Sequence, residues 1–130
     1  YNLTSEGIPS AQDCAQFNWD QYYLTQAVAS AYQNFYDDKD KIMSVSFAQY
    51  WQTVAKRFLT RKNVIGYDLM NEPFAGDIFM KPSLLVPGAA DRLNLQNMYE
   101  IVHQAIRKVD DEKIVFIEGV RFGVQKKMRV

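Results

Sequence analysis

The chain alternates between stretches with the period of an amphipathic helix and short, nearly continuous apolar runs. The first helical stretch begins at Asn18, because Gln21 three residues later gives the spacing of a capping box. The stretch ends near Asp37, where five charged residues in a row predict a solvated turn. Its apolar positions recur at helical spacing and are Leu24, Val28, Ala31, Tyr32 and Phe35. A single helix is therefore predicted between Asn18 and Asp37.

Two further helices are predicted by the same kind of pattern. In the first of them, Ser46 and Gln49 have the spacing of a capping box that would begin the helix. Its apolar stripe consists of Phe47, Tyr50, Trp51, Val54, Ala55, Phe58 and Leu59. In the other, Asn94 is the predicted N-cap. Its apolar stripe consists of Leu95, Met98, Val102, Ala105, Ile106 and Val109.

Two apolar runs predict strands that are buried on both faces. The first run extends from Val64 to Met70, and the second extends from Lys113 to Glu118. A loop from Pro73 to about Arg92 follows the first run. This helix, strand, helix, strand order is typical of an α/β protein with a parallel sheet. Because strands joined by a helical crossover lie parallel, Glu72 and Glu118 should emerge at the same edge of the sheet.

Composition narrows the class of protein without identifying it. The chain has 130 residues, of which 48% are hydrophobic, so one domain with a hydrophobic core is expected. Basic and acidic residues number 15 each, which gives no net charge to hold nucleic acid or an anionic membrane. No run of about 18 apolar residues occurs, so no transmembrane segment is predicted. Cys14 is the single cysteine, which excludes a disulfide within the chain.

The candidate chemistry lies in Asn71-Glu72-Pro73, directly after the first apolar run. Ligands bind at the carboxyl-terminal edge of α/β sheets and barrels, which is where these residues are expected. A carboxylate that leaves an apolar strand loses solvation, and this favours the protonated form that a general acid needs. The Asn71 amide can bind a substrate hydroxyl, and Pro73 prevents continuation of the strand. The alternative is a polar strand exit made of ordinary turn formers.

The stretch from Asn63 to Gly119 resembles family 5 glycoside hydrolases, and within them the endoglycoceramidases. Asn71-Glu72-Pro73 after a hydrophobic strand is similar to the signature of that family. The loop after this signature resembles the endoglycoceramidase branch. The residues that carry this resemblance are Gly76-Asp77-Ile78, Pro82-Ser83-Leu84-Leu85 and Pro87-Gly88 through Asp91. The upstream segment that begins Asp13-Cys14-Ala15 and ends Tyr36-Asp37-Asp38 is also similar to that branch. The resemblance covers nearly all of residues 1–119.

The resemblance implies a fold, a reaction and roles for individual residues. The fold would be part of a (β/α)₈ TIM barrel, with the two predicted strands as its fourth and fifth. Glu72 would be the acid/base carboxylate of a retaining glycosidase, and Asn71 would bind a sugar hydroxyl. The substrate would be a glycosphingolipid, cleaved between glycan and ceramide. No metal or organic cofactor is implied, and transient contact with a lipid surface stays open.

Two further residues are expected to bind substrate, each with an alternative. Phe74 is either a platform for a sugar ring or a plug beneath the loop that follows it. Glu118 is expected to line the site or to support its polar network. Glu118 is also close enough in principle to act as a substitute second carboxylate, because adjacent strands lie about 4.8 Å apart. The resemblance argues against that substitution, since it places the nucleophile on a seventh strand.

Where the sequence departs from the family, a truncated or alternatively spliced chain is predicted. The chain stops just after its predicted fifth strand, so the family nucleophile is absent from it. Residues 1–119 are family-like, whereas residues 120–130 form an atypical tail after Gly119. The alternatives are another family 5 enzyme, such as a glucosylceramidase or β-glucanase, and a non-catalytic glycolipid-binding protein. A secreted or lysosomal location is expected, and Asn2-Leu3-Thr4 fits the N-glycosylation pattern.

Overall fold

A computed structural model describes residues 3–16 and 18–120. The α-helices are α1 (Ala11–Cys14), α2 (Trp19–Tyr23), α3 (Gln26–Asp37), α4 (Ile42–Phe58) and α5 (Gln96–Arg107), and the strands are β1 (Gly66–Asp68) and β2 (Ile114–Phe116). A 3₁₀ turn, Pro82–Leu85, and a π-helical turn, Asp91–Leu95, lie between β1 and α5. Within these described ranges, no helix is long and apolar enough to cross a membrane. Asn2 and the tail after Val120 lie outside them.

The two strands pair in parallel, as the sequence predicts, although each is shorter than the apolar run that contains it. Gly66 pairs with Ile114, and Asp68 pairs with Phe116. Gly66 permits this close approach, because a Cβ built at that position would lie 2.2 Å from the Ile114 carbonyl oxygen. The prediction of an α/β fold with a parallel sheet is confirmed.

Helices cover one face of this sheet. Tyr67 and Leu69 are buried in a hydrophobic core with residues of α4 and α5, including Ala55, Val102 and Ile106. Residues of opposite parity lie on the other face, where Asp68, Ile114 and Phe116 are exposed. The prediction that both strands are buried on both faces is therefore wrong for the described chain. The side-chain alternation of the strands separates a helix-covered face from an open one.

The first predicted helix is two helices. The Asn18–Gln21 capping box is present, with the Asn18 amide donating to the Gln21 side chain at 2.9 Å. The helix then breaks at Leu24, and the Thr25 side chain caps α3 by accepting from the Val28 amide. The predicted end at Asp37 is confirmed.

The start of α4 is also different from its prediction. The helix begins at Ile42, one turn before Ser46, because the Asp38 carboxylate accepts from the amides of Met43 and Ser44. The favourable hydrogen bonds from Ser44, opposed in part by desolvation, lower the pKa of Asp38. Asp38 thus caps a helix in a segment that was predicted to be only a solvated turn. The predicted capping box at Ser46 is wrong.

The segment before α5 does not end in a cap at Asn94. Helical structure continues back through the π-helical turn, so Asn94 lies inside the helical segment and is buried. Its side-chain amide is directed toward the loop after β1, as described below. A π-helical turn inside a helix is frequently found at functional sites.

Candidate active site

The two strand exits meet at one edge of the sheet, as predicted. The backbone amide of Glu72 donates to Oε2 of Glu118 at 2.9 Å. Both residues are half-buried, whereas Asn71 is exposed at the rim. The structure therefore brings Asn71, Glu72 and Glu118 together, and their roles in binding or catalysis stay predictions.

Glu72 has an unusual backbone conformation. Its φ is 44°, in the left-handed region that residues other than glycine rarely adopt. The following residue, Pro73, disfavours helical conformations at the position before it. Such a conformation costs on the order of 1–3 kcal/mol and persists only where the surroundings impose it. Strained residues of this kind cluster at functional sites, which makes Glu72 the centre of this candidate site.

Tyrosine hydroxyl groups hold the carbonyl groups that follow the strand. Tyr23 of α2 donates to the Glu72 carbonyl, and Tyr36 of α3 donates to the Phe74 carbonyl at 2.6 Å. Burial, with smaller contributions from neighbouring groups that include Tyr32, raises the pKa of Tyr36 far above its usual range. Tyr36 therefore remains protonated, and so remains a donor, throughout the ordinary pH range.

The Phe74 side chain is packed beneath these tyrosines. It is 1% exposed, with its ring centroid 5.1 Å from that of Tyr23 in an edge-to-face arrangement. The ring centroid of Tyr32 lies 5.9 Å from that of Phe74, with the two rings tilted. The ring has no open face for a sugar, so burial favours the plug over the stacking platform that substrate binding would require.

Polar side chains fix the next residues of the loop. The Asn94 side-chain amide donates to the Ala75 carbonyl at 2.7 Å, and Gln33 accepts from the Asp77 amide at 3.1 Å. Between these contacts lies Gly76, whose φ is 105°. A Cβ at Gly76 would lie 2.4 Å from Gln33 Oε1 and 2.6 Å from Asn94 Nδ2. The loop therefore requires glycine at this position.

The exit of β2 is held from the π-helical turn and α5. The Tyr99 hydroxyl donates to the Glu118 carbonyl at 2.9 Å, and Asp91 accepts from the Val120 amide at 2.8 Å. Burial raises the pKa of Tyr99 above its usual range, so this donor also stays protonated. Both strand exits are consequently fixed by side chains from outside the strands.

Sequence reasoning located the strand exits but not the residues that hold them. The predicted helical stripes omitted Tyr23, Tyr36 and Tyr99, and Asn94 was assigned to a cap. Tyr23 and Tyr36 lie in the first helical stretch, next to positions of its apolar stripe. A tyrosine that is buried there needs a hydrogen-bond partner for its hydroxyl, and this need is the signal that the sequence offers. That signal does not identify the partner, since each bond joins residues far apart in the sequence.

Comparison with known proteins identifies the family. Residues 16–130 match the model of the cellulase family, glycosyl hydrolase family 5. The chain belongs to glycosyl hydrolase family 5. This membership confirms the predicted family, and the predicted fold, part of a (β/α)₈ barrel, is confirmed with it.

Within glycosyl hydrolase family 5, the chain is similar to endoglycoceramidases. It is 48% identical over 114 residues to an endoglycoceramidase of Cyanea nozakii and 48% identical over 121 residues to one of Hydra vulgaris. These matches cover 88% and 92% of this chain, but 22% and 23% of the relatives. The chain thus spans less than a quarter of the length of these curated relatives.

Solved structures give the same result. The chain is 34% identical, with a TM-score of 0.62, to endo-glycoceramidase II from Rhodococcus sp. in complex with ganglioside GM3. It is 33% identical, with a TM-score of 0.63, to a lactosyl-enzyme intermediate of that enzyme. Each match covers 78% of this chain and 22% of the solved chain.

Proposed function

We propose that Glu72 is the acid/base carboxylate of an enzyme that hydrolyses the bond between oligosaccharide and ceramide in glycosphingolipids. The observation that carries this proposal is the position of Glu72, held in a left-handed conformation at the carboxyl edge of the sheet. The similarity to endoglycoceramidases supports the substrate class. The similarity to a lactosyl-enzyme intermediate supports a retaining mechanism, which passes through a covalent glycosyl-enzyme.

In this mechanism Glu72 acts twice. It first gives a proton to the oxygen that leaves with ceramide, while a second carboxylate attacks the sugar carbon. It then takes a proton from the water that hydrolyses the covalent intermediate. Asn71 is exposed beside it, and its amide can bind the hydroxyl next to the reacting carbon.

The second carboxylate is not Glu118. Retaining pairs lie about 5–5.5 Å apart, with the nucleophile free to attack the sugar. Glu118 instead uses Oε2 to bind the backbone amide of Glu72. We place the nucleophile in a part of the barrel that this chain does not span, and infer that the 130 residues alone do not release ceramide.

The loop after the site supplies an apolar surface for the lipid part of the substrate. Phe79 and Met80 are 50% and 77% exposed, and Leu85 and Val86 are 47% and 58% exposed. Exposed apolar residues on one loop favour transient contact with ceramide or a membrane surface. We retain a secreted or lysosomal location as part of the proposal, in keeping with the Asn2-Leu3-Thr4 pattern.

The test compares Glu72→Gln with Glu100→Gln, a change at an exposed glutamate on α5. We expect the protein at its natural length, if longer than this chain, to release intact oligosaccharide and ceramide from a labelled glycosphingolipid. Glu72→Gln should lower that rate by about 10²–10⁴-fold, because the leaving alkoxide then lacks its proton donor. Glu100→Gln should leave it unchanged.

Other substrates separate this proposal from its alternatives. Hydrolysis of glucosylceramide or a β-glucan, without release of longer glycans from ceramide, would show a different family 5 activity. Binding of glycosphingolipid vesicles without turnover of any of these substrates would support a non-catalytic protein. The 130-residue chain is assayed in parallel. If it turns over the glycosphingolipid, and if Glu72→Gln and Glu118→Gln each abolish that turnover, the nucleophile lies within this chain and the position proposed for it is wrong.

A further inference from the structure

We propose that Glu118 is a positioning residue, whose carboxylate holds the backbone of Glu72 in the conformation that directs its side chain into the site. This inference rests on the proposed function, because it assigns Glu72 the acid/base role. The sequence left two roles for Glu118, lining the site or supporting its polar network, and this proposal is a specific form of the second.

The contact acts on the torsion that needs support. The φ angle of Glu72 describes rotation about its N–Cα bond, and Glu118 binds the N–H at one end of that bond. A hydrogen bond to a carboxylate is stronger than one between neutral groups. Tyr23 fixes the carbonyl on the other side of the same residue. Together these contacts oppose the preference for extended backbone that Pro73 imposes.

Loss of the Glu118 contact would move the carboxyl group of Glu72. If φ returned to the extended region, the Cβ atom and the carboxyl group beyond it would swing to a new direction. General acid catalysis needs the proton donor within hydrogen-bond distance of the leaving oxygen. A small rotation near the backbone would therefore remove the donor from the leaving group while the sugar-binding surface stayed in place.

Glu118 is itself held in place. Tyr99 binds its carbonyl at 2.9 Å, and Asp91 binds the amide of Val120 at 2.8 Å. Gly119 lies against Asp91, and a Cβ there would lie 3.3 Å from Asp91 Oδ1. The backbone that carries the Glu118 carboxylate is thus fixed on both sides, as a positioning group requires.

The kinetic test uses Glu118→Ala, Glu118→Gln and the control Glu100→Ala in the protein at its natural length. Two substrates are compared, a glycosphingolipid and a nitrophenyl glycoside whose leaving group needs no proton. Glu118→Ala should lower kcat/KM for the glycosphingolipid by about 100-fold, the effect of a small misplacement of a catalytic group. The nitrophenyl glycoside should be much less affected. Glu118→Gln should restore most of the lost activity, because its amide oxygen can accept the same N–H.

Other results would overturn the proposal. Equal losses on both substrates, with a raised KM, would mean that Glu118 binds sugar directly. Unchanged activity on both would mean that the contact has no role in positioning.

An NMR measurement tests the contact between Glu118 and Glu72 without depending on turnover. In protein labelled with ¹⁵N-glutamate, the Glu72 amide proton should lie downfield, because its N–H is bound to a carboxylate. It should move upfield in Glu118→Gln, further upfield in Glu118→Ala if that variant folds, and not at all in Glu100→Ala. If the unaltered protein does not cleave glycosphingolipid, the proposed function fails, and this signal still decides whether Glu118 holds Glu72. If the chemical shift of the Glu72 amide proton is the same in Glu118→Gln as in the unaltered protein, the proposed contact does not form.

Discussion

At the scale of single residues, Asp110 is a deeply buried carboxylate in the segment between α5 and β2. It is 1% exposed and accepts from the Tyr67 hydroxyl at 2.7 Å and from the Lys113 amide at 3.0 Å. The Lys113 ammonium lies 3.3 Å away. Burial alone would raise the pKa of Asp110, but hydrogen bonds from Tyr67, Lys113 and Glu112 outweigh it and lower the pKa to about 2.

Asp110→Asn should therefore destabilise the protein in a pH-dependent way. At neutral pH we expect a loss of about 2 kcal/mol, because a charged acceptor of several hydrogen bonds is removed. Since the folded pKa lies below the unfolded value of about 3.9, the Asp110 contribution is present above about pH 4 and is lost as pH falls toward 2. Urea unfolding of the protein at its natural length, at neutral pH and at several values between about pH 4 and pH 2, measures both effects.

The neighbouring carboxylate provides the control for this prediction. Asp111 is exposed, so Asp111→Asn should leave the free energy of unfolding nearly unchanged. Equal effects of the two substitutions, or the same acid sensitivity in Asp110→Asn as in the unaltered protein, would contradict the structural role of Asp110.

Residue-level prediction from sequence succeeded where the geometry of strands is regular. Parallel strands end at one edge, so the meeting of Glu72 and Glu118 followed from the order of elements alone. The direction of the contact did not follow. Glu118 binds a backbone amide, and that depends on the φ angle of Glu72, which no residue pattern specifies.

At the scale of elements, local signals predicted helices well and their boundaries less well. The Asn18–Gln21 capping box formed because both partners lie within one turn. Ser46 has the same spacing, but Asp38 offers a carboxylate to the amides one turn earlier, so the helix begins there. Asn94 is not a cap because helical structure begins before it, and its side-chain amide instead donates to the Ala75 carbonyl, 19 residues away. Hydrogen bonds between residues far apart in the sequence cannot be inferred from the spacing of apolar positions.

The loop after β1 gives a prediction at this scale. Gly76→Ala should destabilise the protein because the methyl group would overlap Gln33 and Asn94, and both side chains are held by hydrogen bonds. Gly7→Ala is the matched control, because Gly7 also has a positive φ, 75°, but nothing within 4 Å of the added atom.

The two substitutions separate strain from overlap. Gly7→Ala should cost about 1 kcal/mol for its backbone conformation alone. Gly76→Ala should cost about 1–3 kcal/mol more through overpacking. Urea unfolding of both variants, made in the protein at its natural length, measures the difference, and equal costs would show that Gln33 and Asn94 move aside freely.

At the scale of the whole molecule, the open face of the sheet decides how the 130-residue chain behaves in isolation. Ile114 and Phe116 are 54% and 41% exposed on that face, and Ile65, just before β1, is 73% exposed. Exposed apolar side chains on this face and the unpaired edges of the two-stranded sheet can recruit other chains.

We expect the isolated 130-residue chain to self-associate and to unfold without a sharp transition. Size-exclusion chromatography and thermal unfolding followed by circular dichroism measure these properties. The matched comparison is Ile114→Thr, which makes the open face less apolar and should reduce the associated fraction. A monomeric chain with a sharp cooperative transition would contradict this prediction.

The π-helical turn Asp91–Leu95 fixes both strand exits, Asp91 through the Val120 amide and Asn94 through the Ala75 carbonyl. These two anchors are three positions apart on one short segment, so the spacing between the exits depends little on the loop that precedes it. The part of that loop that follows Asp77 can change its sequence or length while the spacing is preserved. Under the proposed function, substrate range can therefore diversify in descendants of this protein without re-optimisation of the proton transfer by Glu72.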